Sequence, residues 1–155
     1  MRSHRHVRCT AFLLPRTTRS NGKEKGLDVH GTRKTKLVMI ADDDEDHRHL
    51  VASVMRRAGF DVLEARDGAE LLAMCDEHGF PDVVVTDVMM PRCSGFGVLQ
   101  RLQEVKPGLP VVLISAVGDE SVRRMAVDLG AAAMLEKPFD FSTLRELVTR
   151  VAFVA

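Results

Sequence analysis

The chain has 155 residues, 45% hydrophobic and 28% charged, with no net charge at pH 7. That is the profile of an ordinary globular chain of one domain with room for an appendage, large enough to bury a core without metal or disulfide staples. No apolar run approaches the roughly 18 residues of a membrane span, and Cys9, Cys75 and Cys93 match no zinc spacing and cannot all pair with one another. They read as free thiols of a reducing cytoplasm.

The zero net charge conceals an asymmetry. Residues 1–36 hold 10 Lys and Arg against 2 Asp and Glu, a net of +8, and residues 37–155 carry the opposing −8. The first segment has no sustained apolar period. Its one apolar stretch, Ala11 to Leu14, stops at Pro15 and is too short for a signal peptide. Such a composition cannot offset ordering entropy, so residues 1–36 are expected to be a disordered basic tail. A solvated leader, or translation from too early a start, accounts for it better than a nucleic-acid arm, because no aromatic residues interleave the charges.

From Leu37 onward, short apolar runs alternate five times with amphipathic stretches. The runs are Leu37–Ala41, Phe60–Glu64, Asp82–Thr86, Val111–Ser115 and Ala132–Glu136. The third and fourth are continuous and β-branched, as strands covered on both faces read. The second and fifth are less apolar, as edge strands are. The first helical stripe is Leu50, Val51, Val54, Met55 and Ala58, stopped by Gly59. The second is Ala69, Leu71, Leu72 and Cys75, ending at Gly79. The third is Val98, Leu99, Leu102 and Val105, ending at Pro107 and Gly108. Val122, Met125, Ala126 and Leu129 form the fourth, and Leu144, Leu147, Val148 and Val151 the fifth, with Asp140 placed to cap it. Five strand–helix units imply an α/β, doubly wound parallel sheet with right-handed crossovers. Ligands of such sheets bind beyond the C-terminal strand ends.

Those ends are chemically lopsided. The first strand runs into Asp42, Asp43, Asp44, Glu45 and Asp46. The third ends at Asp87, the fourth at Ser115 and Ala116, the fifth at Glu136, Lys137 and Pro138. Carboxylates converging on one rim repel unless a cation joins them, and hard oxygen ligands suit Mg²⁺. An acidic cluster, one Lys and one hydroxyl around a lone carboxylate suit phosphoryl transfer to that carboxylate. Asp44, Glu45 and Asp46 read as first-turn acids that complement a helix dipole. His47 and His49 read as exposed helix positions, and Cys93 as an inconsequential loop thiol.

The set IADDDED, VVVTDVMMPRCSG, VVLISA and LEKPF, in this order at four strand tips, resembles response-regulator receiver domains from residue 37 to about 152. The resemblance implies a flavodoxin-like receiver fold with strand order 2-1-3-4-5. It implies Asp87 as phosphoacceptor from the phosphohistidine of a sensor histidine kinase or a histidine phosphotransfer protein. It implies Asp42 and Asp43 as the Mg²⁺ acid pair (Mn²⁺ being an alternative ion), with Asp43 the direct ligand and Met89 offering its carbonyl. Ser115, with Ala116 beside it, and Lys137 would bind the phosphoryl group. Pro91 and Gly95 match the turn after the acceptor, and Lys137–Pro138 a bond that is usually cis. Many receivers carry an aromatic where this chain has Met134, so any switch there uses a flexible thioether instead.

The expectation is a cytoplasmic phosphoacceptor switch, not an enzyme turning over an external substrate. Because the chain stops at Ala155, its output is expected to be a protein partner or onward phosphotransfer, without direct DNA binding by the acidic body. A hydrolase with an aspartyl-phosphate intermediate would want a second Asp where Met89 stands. A phosphorylation-independent scaffold would typically have lost an acid or the Lys.

Overall fold

The alternation of runs and stripes becomes five strands and five helices in a computed structural model that describes residues 35–154. The basic tail expected over residues 1–36 lies, apart from its last two residues, outside the described residues. The strands are β1 Leu37–Ala41, β2 Asp61–Ala65, β3 Val83–Asp87, β4 Val111–Ser115 and β5 Ala133–Glu136. The helices are α1 Glu45–Arg57, α2 Gly68–His78, α3 Gly95–Val105, α4 Glu120–Asp128 and α5 Phe141–Val154.

All strand pairs are parallel and the order is β2-β1-β3-β4-β5. The two less apolar runs are therefore the edges. Successive side chains on a strand face opposite ways, and this divides the core in two. Met39, Ala41, Val84 and Leu113 pack with Leu71, Val98, Leu99, Leu102 and Ala126 from α2, α3 and α4. Val38, Ile40, Val83, Val85, Val112 and Ile114 pack with Val51, Ala52 and Met55 of α1 and Leu144 and Val148 of α5.

Not every expected stripe is buried throughout: Val105, at the end of α3, is exposed. Leu50 is exposed, and α1 instead turns Arg48, Val51, Ala52 and Met55 inward. In α4 Ala126 alone is buried, while Met125 and Val127 face outward. Among the described residues no helix is long and apolar enough to cross a membrane. Cys75 is a free, buried thiol as expected. Cys93 corrects the expectation of free thiols, because it is disulfide-bonded.

Candidate functional site

Parallel pairing brings the C-terminal ends of β1, β3, β4 and β5 to one rim. β1 leads directly into Asp42, which is 3% exposed. Its Oδ1 accepts the Asp44 N–H at 3.0 Å, and its Oδ2 lies 2.5 Å from His47 Nδ1. Its carbonyl accepts from the buried Arg48 guanidinium at 2.9 Å. Asp44 is the N-cap of α1, accepting the His47 N–H at 3.0 Å. That hydrogen bond holds its carboxyl below the ordinary 3.8. Glu45 and Asp46 occupy the first turn, where acids complement the helix dipole. Asp43 is exposed between these two anchored residues.

Asp87 closes β3 and is 5% exposed. Its Oδ1 accepts the Met89 N–H at 2.9 Å, and its Oδ2 takes the Lys137 ammonium at 2.5 Å. Burial pulls the Lys137 pKa down, but the hydrogen bond and charge of Asp87, with Asp42 and Asp44 further off, outweigh it and hold it above 10.5. One cation thus senses carboxylates from two strand ends. The Lys137–Pro138 bond is cis, and the Lys137 N–H donates to the Ser115 carbonyl at 2.8 Å.

The loop after Asp87 is closely fitted. The Gly95 N–H donates to the Val88 carbonyl at 3.0 Å. A Cβ on Gly95 would collide with the Asp87 carbonyl, so glycine is needed for this approach. Pro91 precedes Arg92, whose φ of 67° is strained for a residue with a Cβ. The Arg92 guanidinium reaches Asp67, the N-cap of α2, at 2.5 Å.

The other expected residues divide. Ser115 is buried one position past Ile114, the register partner of Asp87. Its hydroxyl donates to the Val117 carbonyl at 2.8 Å and accepts the Val117 N–H at 3.0 Å, so it serves its own loop. Ala116 and Pro138 are exposed. The Met89 side chain also faces solvent, so only its backbone is turned to Asp87. Met134 is half-buried against the core beneath α4. Arg48 and Arg92 were not singled out from sequence, and His47, expected to be an exposed helix position, is instead on Asp42. A His just inside a helix that follows paired Asp residues was the one available signal for His47.

The donor chemistry fits a hard divalent cation. Asp42 and Asp87 are buried carboxylates on one rim, with Asp43 and the Met89 carbonyl adjoining. Among the described residues, no three His, Cys, Asp or Glu side chains stand together as a ready-made metal cluster. His47 and Lys137 are the groups now on Asp42 and Asp87.

Comparison with known proteins agrees with this geometry. The family model described as a response regulator receiver domain matches residues 38–149. A probable transcriptional regulator ycf27 of Guillardia theta is 33% identical over 85% of this chain and 50% of its own length. The transcriptional regulatory protein CpxR of Klebsiella pneumoniae is 36% identical over 74% of this chain and 47% of its own. The chain spans about half the length of these curated relatives. Among solved structures, chemotaxis protein CheY4 of Vibrio cholerae aligns with a TM-score of 0.70 at 28% identity, covering 76% of this chain and 98% of its own. The receiver domain of NtrX from Brucella abortus aligns at 0.71 and 29%, covering 76% and 99%.

Proposed function

The chain belongs to the response regulator receiver domain family, and from that membership we propose that it works as a stand-alone response regulator. In this reading Asp87 takes a phosphoryl group from the phosphohistidine of a sensor kinase or a phosphotransfer protein in the cytoplasm. A carboxylate oxygen of Asp87 attacks phosphorus, the phosphorus–nitrogen bond to the donor imidazole breaks, and an acyl phosphate forms. The donor imidazole keeps the electron pair of the broken bond. Output passes to a protein partner through the repacked surface, and the folded domain itself does not bind DNA. The chemistry is one transfer onto the chain's own side chain rather than turnover of an external substrate.

The observation that carries this reading is the buried Asp87 carboxylate, held by Lys137 at 2.5 Å on the rim that also bears Asp42. Lys137 is placed to move from the carboxylate onto the incoming phosphoryl oxygens. Asp42, Asp43, Asp87 and the Met89 carbonyl would hold Mg²⁺, or Mn²⁺ in its place, whose charge offsets that of the phosphoryl oxygens. Ser115 would leave Val117 to donate to the phosphoryl group, with the Ala116 backbone beside it. Met134 would refill the space this opens.

The test is intact-protein mass after incubation with acetyl phosphate, or with a panel of phosphorylated sensor kinases, with and without Mg²⁺. One added phosphoryl group that requires Mg²⁺ and is lost in Asp87→Asn is expected. No adduct from any donor would leave the scaffold reading in its place.

A further inference from the structure

The acidic rim is already capped from within, and one of the caps is His47. Asp42 Oδ1 is taken by the Asp44 N–H and Oδ2 by His47 Nδ1 at 2.5 Å. The imidazole is held in that orientation from several sides. Its own backbone N–H is fixed to the Asp44 carboxylate. The Phe139 ring meets it edge-on, at 6.0 Å and 79° between planes, and Phe141 lies 6.4 Å away. Phe139 and Phe141 meet each other at 5.8 Å, so the ring rests against a small aromatic cluster where the chain enters α5. A side chain gripped in this way is not a freely solvated helix position.

A carboxylate oxygen that accepts a charge-assisted or short hydrogen bond is less available to a cation, because the incoming ion must displace or share the donor. We propose that His47 is an internal stand-in for the divalent cation at Asp42: it satisfies the buried carboxylate in the metal-free protein and gives it up when the ion enters. His47 therefore sets how tightly this domain binds its cation. The inference rests on the rim being the Mg²⁺ site proposed above. It assigns to His47 a role at Asp42 parallel to that of Lys137 at Asp87.

Manganese affinity, read from the free-ion signal by electron paramagnetic resonance, tests it without reference to phosphorylation. His47→Leu and His47→Met keep an apolar contact for Phe139 and Phe141 but donate nothing, and His47→Gln keeps one N–H donor. Far-UV circular dichroism establishes that folded proteins are compared. The donor-free variants should bind Mn²⁺ about three- to tenfold more tightly than wild type, the size expected for one hydrogen bond exchanged for the ion. His47→Gln should fall back toward wild type. Equal or weaker binding by both donor-free variants would overturn the role of His47 and leave the metal site standing. His47→Gln binding as tightly as His47→Leu would overturn the hydrogen bond as the cause. Wild type without saturable Mn²⁺ binding would overturn the metal site, and this inference with it.

Discussion

Lys137→Met removes the ammonium while keeping most of the aliphatic stem. Asp87 is then left almost fully buried with the Met89 N–H as its remaining hydrogen-bond donor, on a rim it shares with Asp42. Removing one partner of a fully buried pair costs about 3–5 kcal/mol, whereas exposed pairs contribute about 0–1 kcal/mol. The Lys137 side chain is 30% exposed, so the expected loss lies between, about 2 kcal/mol. For a domain of this size that lowers the melting temperature by about 8 °C. Asp87→Asn should behave differently. The amide oxygen still accepts the Met89 N–H, Lys137 can turn toward water, and one buried negative charge is gone, so the change should stay within about 1 kcal/mol. The double variant then yields a coupling of about 1–2 kcal/mol. The pKa of Lys137 gives the pH window. Asp87 holds it above 10.5 against the opposing effect of burial. A raised lysine contributes in full below its unfolded value and loses that contribution as pH climbs through the folded one. The gap between wild type and Lys137→Met should therefore be constant across neutral and mildly alkaline pH and close above 10.5. The chain has no Trp or Tyr, so urea unfolding in EDTA is followed by far-UV circular dichroism. A cost for Asp87→Asn equal to that for Lys137→Met, or a coupling near zero, would refute the reasoning.

Gly95→Ala drives a Cβ into the Asp87 carbonyl, with the Val88 Cα 3.0 Å away. These backbone atoms cannot yield cheaply, so a loss of about 1–3 kcal/mol in urea unfolding is expected. Asp44→Ala removes the cap of α1 and should lower the urea midpoint. The carboxyl is held below 3.8, so this difference should persist above that value and vanish as pH falls through the folded one. Burial pushes the Cys75 thiol up to about 11. Its alkylation by iodoacetamide near neutral pH, followed by peptide mass, should be negligible in the folded protein and rapid in urea.

The parts of the fold legible in the sequence are those set by local pattern. β1 and β4 lie where their apolar runs do, because buried central strands are apolar from end to end. β2, β3 and β5 differ by one residue at one or both ends, where pairing rather than composition decides the boundary. Asp42, Asp87 and Lys137 were legible because each is a polar residue closing a strand. Less legible were features built by distant contacts. His47 was read as an exposed helix position, yet Phe139 and Phe141, some ninety residues on in the chain, hold it against Asp42. Nothing in the residue type of Arg92 announces a φ of 67°; it is sustained alongside an ion pair with Asp67 at 2.5 Å. Ser115 was placed at the right strand end, but no pattern shows that its hydroxyl is committed to Val117.

That commitment determines how a signal at Asp87 would travel. In the resting loop Ser115 satisfies both the N–H and the carbonyl of Val117. If Ser115 turns to a phosphoryl group, both backbone groups need new partners, at about 1 kcal/mol each if they find none. The loop must therefore rearrange rather than merely lose a contact. Gly118, next in the chain, has the Glu136 carboxylate packed where a Cβ would sit, so its movement disturbs Glu136. Glu136 is paired with Arg123 of α4 at 3.2 Å, and Asp119 caps the same helix through the Val122 N–H at 2.9 Å. The side-chain connections from this loop through Glu136 and Asp119 thus lead to α4. Of its residues only Ala126 is buried, so displacing α4 gives up less apolar burial than displacing α1, α2 or α3 would. A coupling of about 1–3 kcal/mol, the usual range between linked sites, is comparable to the two hydrogen bonds at stake, and α4 is the element that so small a free energy can shift.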